Sequence, residues 1–141
     1  MTTGEALRAA RKSRKLTQRR LSELTGISEV SLRNYEYGKH VPRLSFAIYI
    51  ADALDMSLQE AFAGVPAPYK KQILNESRIG ISTHSCRRKK HLSMDQLAHK
   101  AYCSRETIWR IESGLYDSQI DTLITIASAL GVTLDEYIGR V

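Results

Sequence analysis

Seven basic side chains crowd one short segment: Arg8, Arg11, Lys12, Arg14, Lys15, Arg19 and Arg20. Arg87, Arg88, Lys89 and Lys90 form a second run later in the chain. Positive runs of this kind suit a polyanion partner, although a solvated helix end has the same composition. The net charge of +6 is shared evenly: residues 1–64 have ten basic and seven acidic groups, and residues 65–141 have eleven and eight. No enzyme is expected, because the sequence offers no Ser/His/Asp arrangement, phosphate-cradling Gly-rich loop or clustered carboxylate pair. A metal site would have to draw on His84, Cys86, His91, His99 and Cys103, and the two cysteines lack metal-ligand spacing. Neither a metal nor a cofactor is expected. No segment approaches the roughly 20 apolar residues of a membrane helix, and the N-terminus lacks the apolar stretch of a signal peptide. The chain therefore reads as cytoplasmic, with reduced thiols.

The elements that position these groups come twice. Shifted by 76 residues, Leu16–Phe62 lies over Leu92–Ile138 without a gap. Leu16, Leu21, Ser28, Glu36, Gly38, Ile50, Ala51, Leu54, Leu58 and Glu60 meet identical residues. A period that long means two copies of a small domain rather than a solenoid of short units. Cys103 falls on Ile27 and reads as core; His91 falls on Lys15 and reads as basic surface. Units of about 60 residues bury only about 60% of their unfolded surface and need compact helical packing.

One unit parses into five helices. Gly4–Lys15 carries Leu7 and Ala10 on an apolar stripe, which predicts an amphipathic helix. Thr17 caps a second helix whose Leu21 and Leu24 face inward. Gly26 supplies the positive φ of a tight turn. Ser28 caps a third helix with Leu32 and Tyr35 on its buried side, and Gly38 ends it. Lys39–Pro42 is a loop, and Leu44 to Leu54 is a fourth helix. Ser57-Leu-Gln-Glu60, Ser93-Met-Asp-Gln96 and Thr133-Leu-Asp-Glu136 read as capping boxes. Between the copies, a short Pro-containing loop and then a linker helix over Tyr69–Ser77 are expected.

A short helix, a turn and a second helix with a polar outer face make a helix-turn-helix unit. The runs LTQRRLSELTGISEVSLRNYEYGKHVPRL and LSMDQLAHKAYCSRETIWRIESGLYDSQI carry a more specific resemblance. Each resembles the five-helix DNA-binding domain of the phage-repressor and Cro-like (XRE) family. The resemblance implies an all-α chain of two tandem five-helix, lambda-repressor-like domains, 1–64 and 79–141, joined by a short, partly helical linker, 65–78. It implies a transcriptional regulator, a repressor, whose partner is double-stranded DNA. It also implies internal ion pairs, Arg11 with Glu36 and Arg87 with Glu112. By position in the motif, Gln18 grips phosphate at a helix N-terminus, where backbone N–H groups favour an anion. Lys39, His40 and Arg43 add charge around the following loop. Ser28 opens the third helix, and Glu29, Val30, Arg33 and Asn34 are its base-reading positions. Asn can pair bidentately with adenine, Glu can accept from cytosine N4, and Val can touch a thymine methyl.

The second copy departs from the first. Met94 replaces Gln18, Tyr102 replaces Gly26, and Thr83 stands where Leu7 packs. A bulky residue held at positive φ is strained, so the turn is expected to differ; Thr83 is expected to weaken the copy's first helix. The loop Leu115-Tyr-Asp-Ser-Gln119 has no base. Yet Arg105, Glu106, Thr107 and Arg110 occupy the third helix, and arginine can fork onto guanine. Trp109 is either a DNA or interdomain contact, or an aromatic packed on the second helix. Two readings follow for this copy: a second DNA reader, or a surface for a homodimer or another protein, as in an antitoxin or anti-repressor. Trp109, Leu115 and Tyr116 favour the latter.

Overall fold

The computed structural model describes residues 1–70, 76–114 and 118–140, with the side chains of residues 76–78 left aside. Two compact units divide the chain, Met1–Pro68 and Tyr69–Val141. The first contains α1 (Thr3–Ser13), α2 (Gln18–Thr25), α3 (Glu29–Tyr37), α4 (Leu44–Ala53) and α5 (Leu58–Ala63). The second contains α6 (Glu76–Lys89), α7 (Met94–Lys100), α8 (Arg105–Glu112), α9 (Ile120–Leu130) and α10 (Leu134–Ile138). The fold is all-α. No described helix is long and apolar enough to cross a membrane.

Local chemistry sets the helix starts. The hydroxyls of Thr17, Ser28 and Ser57 accept the backbone N–H three residues on, as do those of Ser93, Ser104 and Thr133. Each satisfies a donor that has no partner within its helix. The reciprocal capping box closes at Ser93 and Gln96; at Ser57 and Thr133 the hydroxyl half is formed.

Packing is parallel in the two units. α1 lies against α3 and α5, as α6 lies against α8 and α10; α2 bridges α3 and α4, as α7 bridges α8 and α9. Leu21, Leu32, Ile50 and Leu58 are fully buried, and so are Leu97, Ile108, Ile126 and Leu134 at the same offset. Leu24 does not join them: it is 47% exposed. At the last turn of a short helix that already buries Leu21, it lies beyond the reach of the core.

The second unit repacks where the first has Leu7 and Ala61. Thr83 and Tyr137 stand there, both fully buried. Their hydroxyls meet at 2.5 Å, and the Thr83 hydroxyl also reaches the Ile79 carbonyl at 2.7 Å. A smaller side chain on α6 is thus matched by a larger one on α10, so Thr83 is a core residue with satisfied polarity rather than a weak point. Burial pushes the Tyr137 phenol well above its usual range, with the Thr83 hydrogen bond acting the other way.

The turn before α8 keeps the hand of its counterpart. Gly26 has φ 76° and Tyr102 has φ 57°. Tyr102 adopts the left-handed conformation and is 92% exposed, so no packed neighbour opposes that backbone. The expected linker helix over 69–77 falls mainly on residues 71–75, outside the described ones. Tyr69 and Lys70 are not helical, and Glu76 and Ser77 open α6. The Tyr69 ring faces the Arg140 guanidinium at 5.4 Å, and the Lys70 N–H donates to the Arg140 carbonyl.

Two glycines bring α1 and α6 close to the helices that follow the turns. A Cβ on Gly4 would sit 2.5 Å from the Tyr35 carbonyl oxygen and 2.6 Å from that of Glu36. On Gly80 it would lie 2.7 Å from the oxygens of Ile111 and Glu112. That close approach lets the Arg11 fork meet Glu36, at 2.9 and 3.0 Å, and the Arg87 fork meet Glu112, at 3.0 and 2.9 Å. Gly4→Ala is expected to lower stability by about 1–3 kcal/mol through overpacking. Glu36→Ala should cost about 3–5 kcal/mol, because it strands a buried guanidinium. Urea denaturation of the full chain reads both; an unchanged midpoint for either variant contradicts the corresponding contact.

Candidate nucleic-acid interface

The first unit presents α3 with its ends fixed. Ser28 caps its start, and Gly38 at φ 77° turns the chain away at its end. Leu32 faces the core, while Glu29, Val30 and Arg33 are exposed and Asn34 is half-buried. The Ser28 hydroxyl accepts from the Ser31 N–H at 3.1 Å and donates to the Ser31 hydroxyl at 2.9 Å, so its chemistry is committed to the cap. Gln18 is the first residue of α2, half-buried beside the Thr17 cap. Lys39 and His40 are exposed just past Gly38; their N–H groups donate to the Asn34 carbonyl. Arg43 is exposed immediately before α4. Burial raises the Tyr35 phenol, and the Arg43 charge opposes that rise. The fold therefore brings Asn34 to the Lys39 and His40 turn, and Tyr35 within the influence of Arg43.

The basic segment is less uniform than its composition suggests. Arg11 is buried: besides Glu36, it donates to the Leu16 carbonyl at 2.7 Å and so closes the turn before α2. Arg14 donates to the carbonyls of Leu54, at 2.6 Å, and Asp55, at 3.0 Å, beyond the end of α4. A cation there also complements the helix dipole. Arg19 and Arg20 flank Glu23 at 3.7 and 3.0 Å. Arg8, Lys12 and Lys15 are exposed.

In the second unit the matching face has different chemistry. Arg105 lies 3.7 Å from Asp95, and Arg110 lies 3.1 Å from Glu106 one turn earlier. The Thr107 hydroxyl bonds that of the Ser104 cap at 2.9 Å. Met94, in the place of Gln18, is half-buried. Trp109 is 51% exposed. Arg87 repeats the role of Arg11, donating to the Leu92 carbonyl at 2.9 Å as well as to Glu112. His84 adds a contact absent from the pattern of the first unit, with Nδ1 2.9 Å from Glu112 and 3.1 Å from the Arg87 guanidinium. Leu115 and Tyr116 lie outside the described residues.

The sequence profile of the helix-turn-helix family matches residues 7–60 and, a second time, residues 84–137. The chain belongs to the helix-turn-helix family. It contains two tandem copies of the phage-repressor and Cro-like (XRE) type, and it is a DNA-binding regulator. No curated protein and no solved structure matches it.

Within each helix-turn-helix unit, α3 and α8 are the second helices of the motif, pinned from behind by a guanidinium on α1 or α6. Sequence reasoning passed over the glycines that permit this approach, Gly4 and Gly80, although they too are 76 residues apart. It also gave no partner to Arg14, an exposed residue that bonds the carbonyls beyond the end of α4. The distinction between Arg14 and Lys12 is measurable. Arg14→Ala should destabilise the chain by about 1 kcal/mol, less than the roughly 1.5–3 kcal/mol of a hydrogen bond to a charged group because Arg14 is exposed. Lys12→Ala should stay within about 0.5 kcal/mol of the parent, as for an exposed surface site. Equal shifts in the urea midpoint would contradict the assignment of Arg14 to the end of α4.

Proposed function

We propose that this protein is a sequence-specific, double-stranded DNA-binding transcriptional regulator acting as a repressor, with α3 laid in the major groove. One observation carries the reading. The exposed face of α3 holds Glu29, Val30, Arg33 and Asn34 on a helix capped at both ends and locked to α1 by a buried ion pair. Gln18 and Arg43 lie at the starts of neighbouring helices and Lys39 just past the end of α3, where Gln18 can hydrogen-bond a phosphate and Lys39 and Arg43 can neutralise one. A protein seated in the groove excludes others from the same DNA, which is repression by occupancy. The same reading gives α8 a half-site of its own, contacted through Arg105, Glu106, Thr107 and Arg110.

The alternative assigns the second unit to a homodimer or a protein partner, as in an antitoxin or anti-repressor. The exposed aromatics Tyr102 and Trp109 favour it. The units are separate in sequence and their third helices differ, which supports an asymmetric site read by one chain. Tyr69 and Lys70 are held by the second unit, so the tether is shorter than the whole 65–78 segment.

Affinity for duplex DNA should fall steeply with salt. Six phosphate contacts correspond to a loss of about a thousandfold between roughly 50 and 200 mM salt. A flat response in a binding titration would contradict groove binding. Asn34→Ala should cost about 1–3 kcal/mol on the preferred sequence and relax one position, whereas Arg43→Ala should weaken all sequences alike. Uniform losses for both would remove α3 as the reader. Footprinting with measured stoichiometry should give one chain over two unlike half-sites about one helical turn apart. A palindrome occupied by two chains would instead support the dimer.

A further inference from the structure

Trp109 is the only tryptophan in the chain, and about half of its surface remains in water. It occupies on α8 the place of Arg33 on α3, 76 residues earlier. Its surroundings are electrically quiet. Arg105 has Asp95 at 3.7 Å and Arg110 has Glu106 at 3.1 Å, so the two cations of this face each stand beside a carboxylate. Arg105, Glu106 and Trp109 together line an open cleft. Where α3 offers a guanidinium, α8 offers a flat apolar surface.

The chemistry of the indole narrows what it can recognise. Its ring nitrogen is a donor only, so it cannot form the two-pronged contact that arginine makes with guanine. In the major groove the apolar feature of the base edges is the thymine C5-methyl group. A half-exposed indole that covers this methyl removes apolar surface from water on both partners. We propose that Trp109 is a specificity-determining residue that reads a thymine methyl in the half-site taken by the second unit. This rests on the DNA-binding reading above. On this assignment α8 places an apolar contact, flanked by arginines, where α3 places the Arg33 guanidinium.

The test uses the full chain and a random-sequence duplex library. From the enriched duplex, each thymine is replaced singly by deoxyuridine, which deletes only the methyl. At one thymine the replacement should weaken binding about fourfold, the effect of burying one methyl-sized group. That penalty should vanish in Trp109→Ala and persist in part in Trp109→Phe, while thymines of the other half-site respond alike in all three proteins. Adding the enriched duplex should also change the emission of Trp109, a readout that needs no variant. Penalties that are the same in the parent and Trp109→Ala at every thymine overturn the proposal and leave DNA binding standing. Unchanged emission overturns it too. Failure to enrich any duplex removes the DNA reading itself, and the proposal with it.

Discussion

The guanidinium of Arg11 reaches from α1 to both carboxylate oxygens of Glu36 with the two side chains nearly sealed from solvent. Its remaining nitrogen holds the Leu16 carbonyl. One side chain thus joins three features: the first helix, the turn that leads to α2, and the end of α3. Arg87 repeats the arrangement with Glu112 and Leu92. A buried pair is weak evidence for net stability, since desolvating both charges offsets much of their attraction. Its use here is geometric. A planar fork on a carboxylate tolerates little rotation, so the orientation of the second helix of each helix-turn-helix motif is set from behind. The approach also depends on Gly4 and Gly80, because any side chain there would meet backbone oxygens.

The same economy of position explains how the basic residues divide. Arg11 and Arg14 lie within one helical turn of each other, yet one is internal and the other closes the end of α4. Arg8, Lys12 and Lys15 are left facing water. In the second unit Lys90 stands at the Arg14 offset, with its ammonium 3.7 Å from where a Cβ on Gly131 would be, beside the end of α9. Net charge is therefore an overestimate of the charge that either unit can offer to a phosphate backbone.

Duplication has allowed the outer faces to diverge while the interior is held. The buried leucines and isoleucines recur at a constant offset, and where one changes its neighbour compensates, as Tyr137 does for Thr83. A change that leaves a void or a clash in so small a core is costly. The exposed side of the third helix is under no such constraint. Val30 becomes Glu106, Arg33 becomes Trp109 and Asn34 becomes Arg110 without disturbing a core contact. Two unlike surfaces on one scaffold are the consequence.

Much of this was legible in the residues themselves. The repeat, the caps at Thr17, Ser28, Ser93 and Ser104, and the buried periodicity are local or self-comparing signals, so the helices and the family followed from sequence. The pairing of Arg11 with Glu36 came from resemblance, because 25 residues of chain separate the partners and no local rule joins them. Other features needed the tertiary structure. Leu24 is apolar at a helical spacing yet lies outside the core. Thr83 looks like a defect until Tyr137 is brought against it from another helix. Tyr102 holds a glycine-like φ with its side chain out in solvent, which neither its residue type nor its spacing foretold. Which arginines face outward was also decided there, since a side chain's partners are fixed by the helices packed across from it and composition carries no record of them.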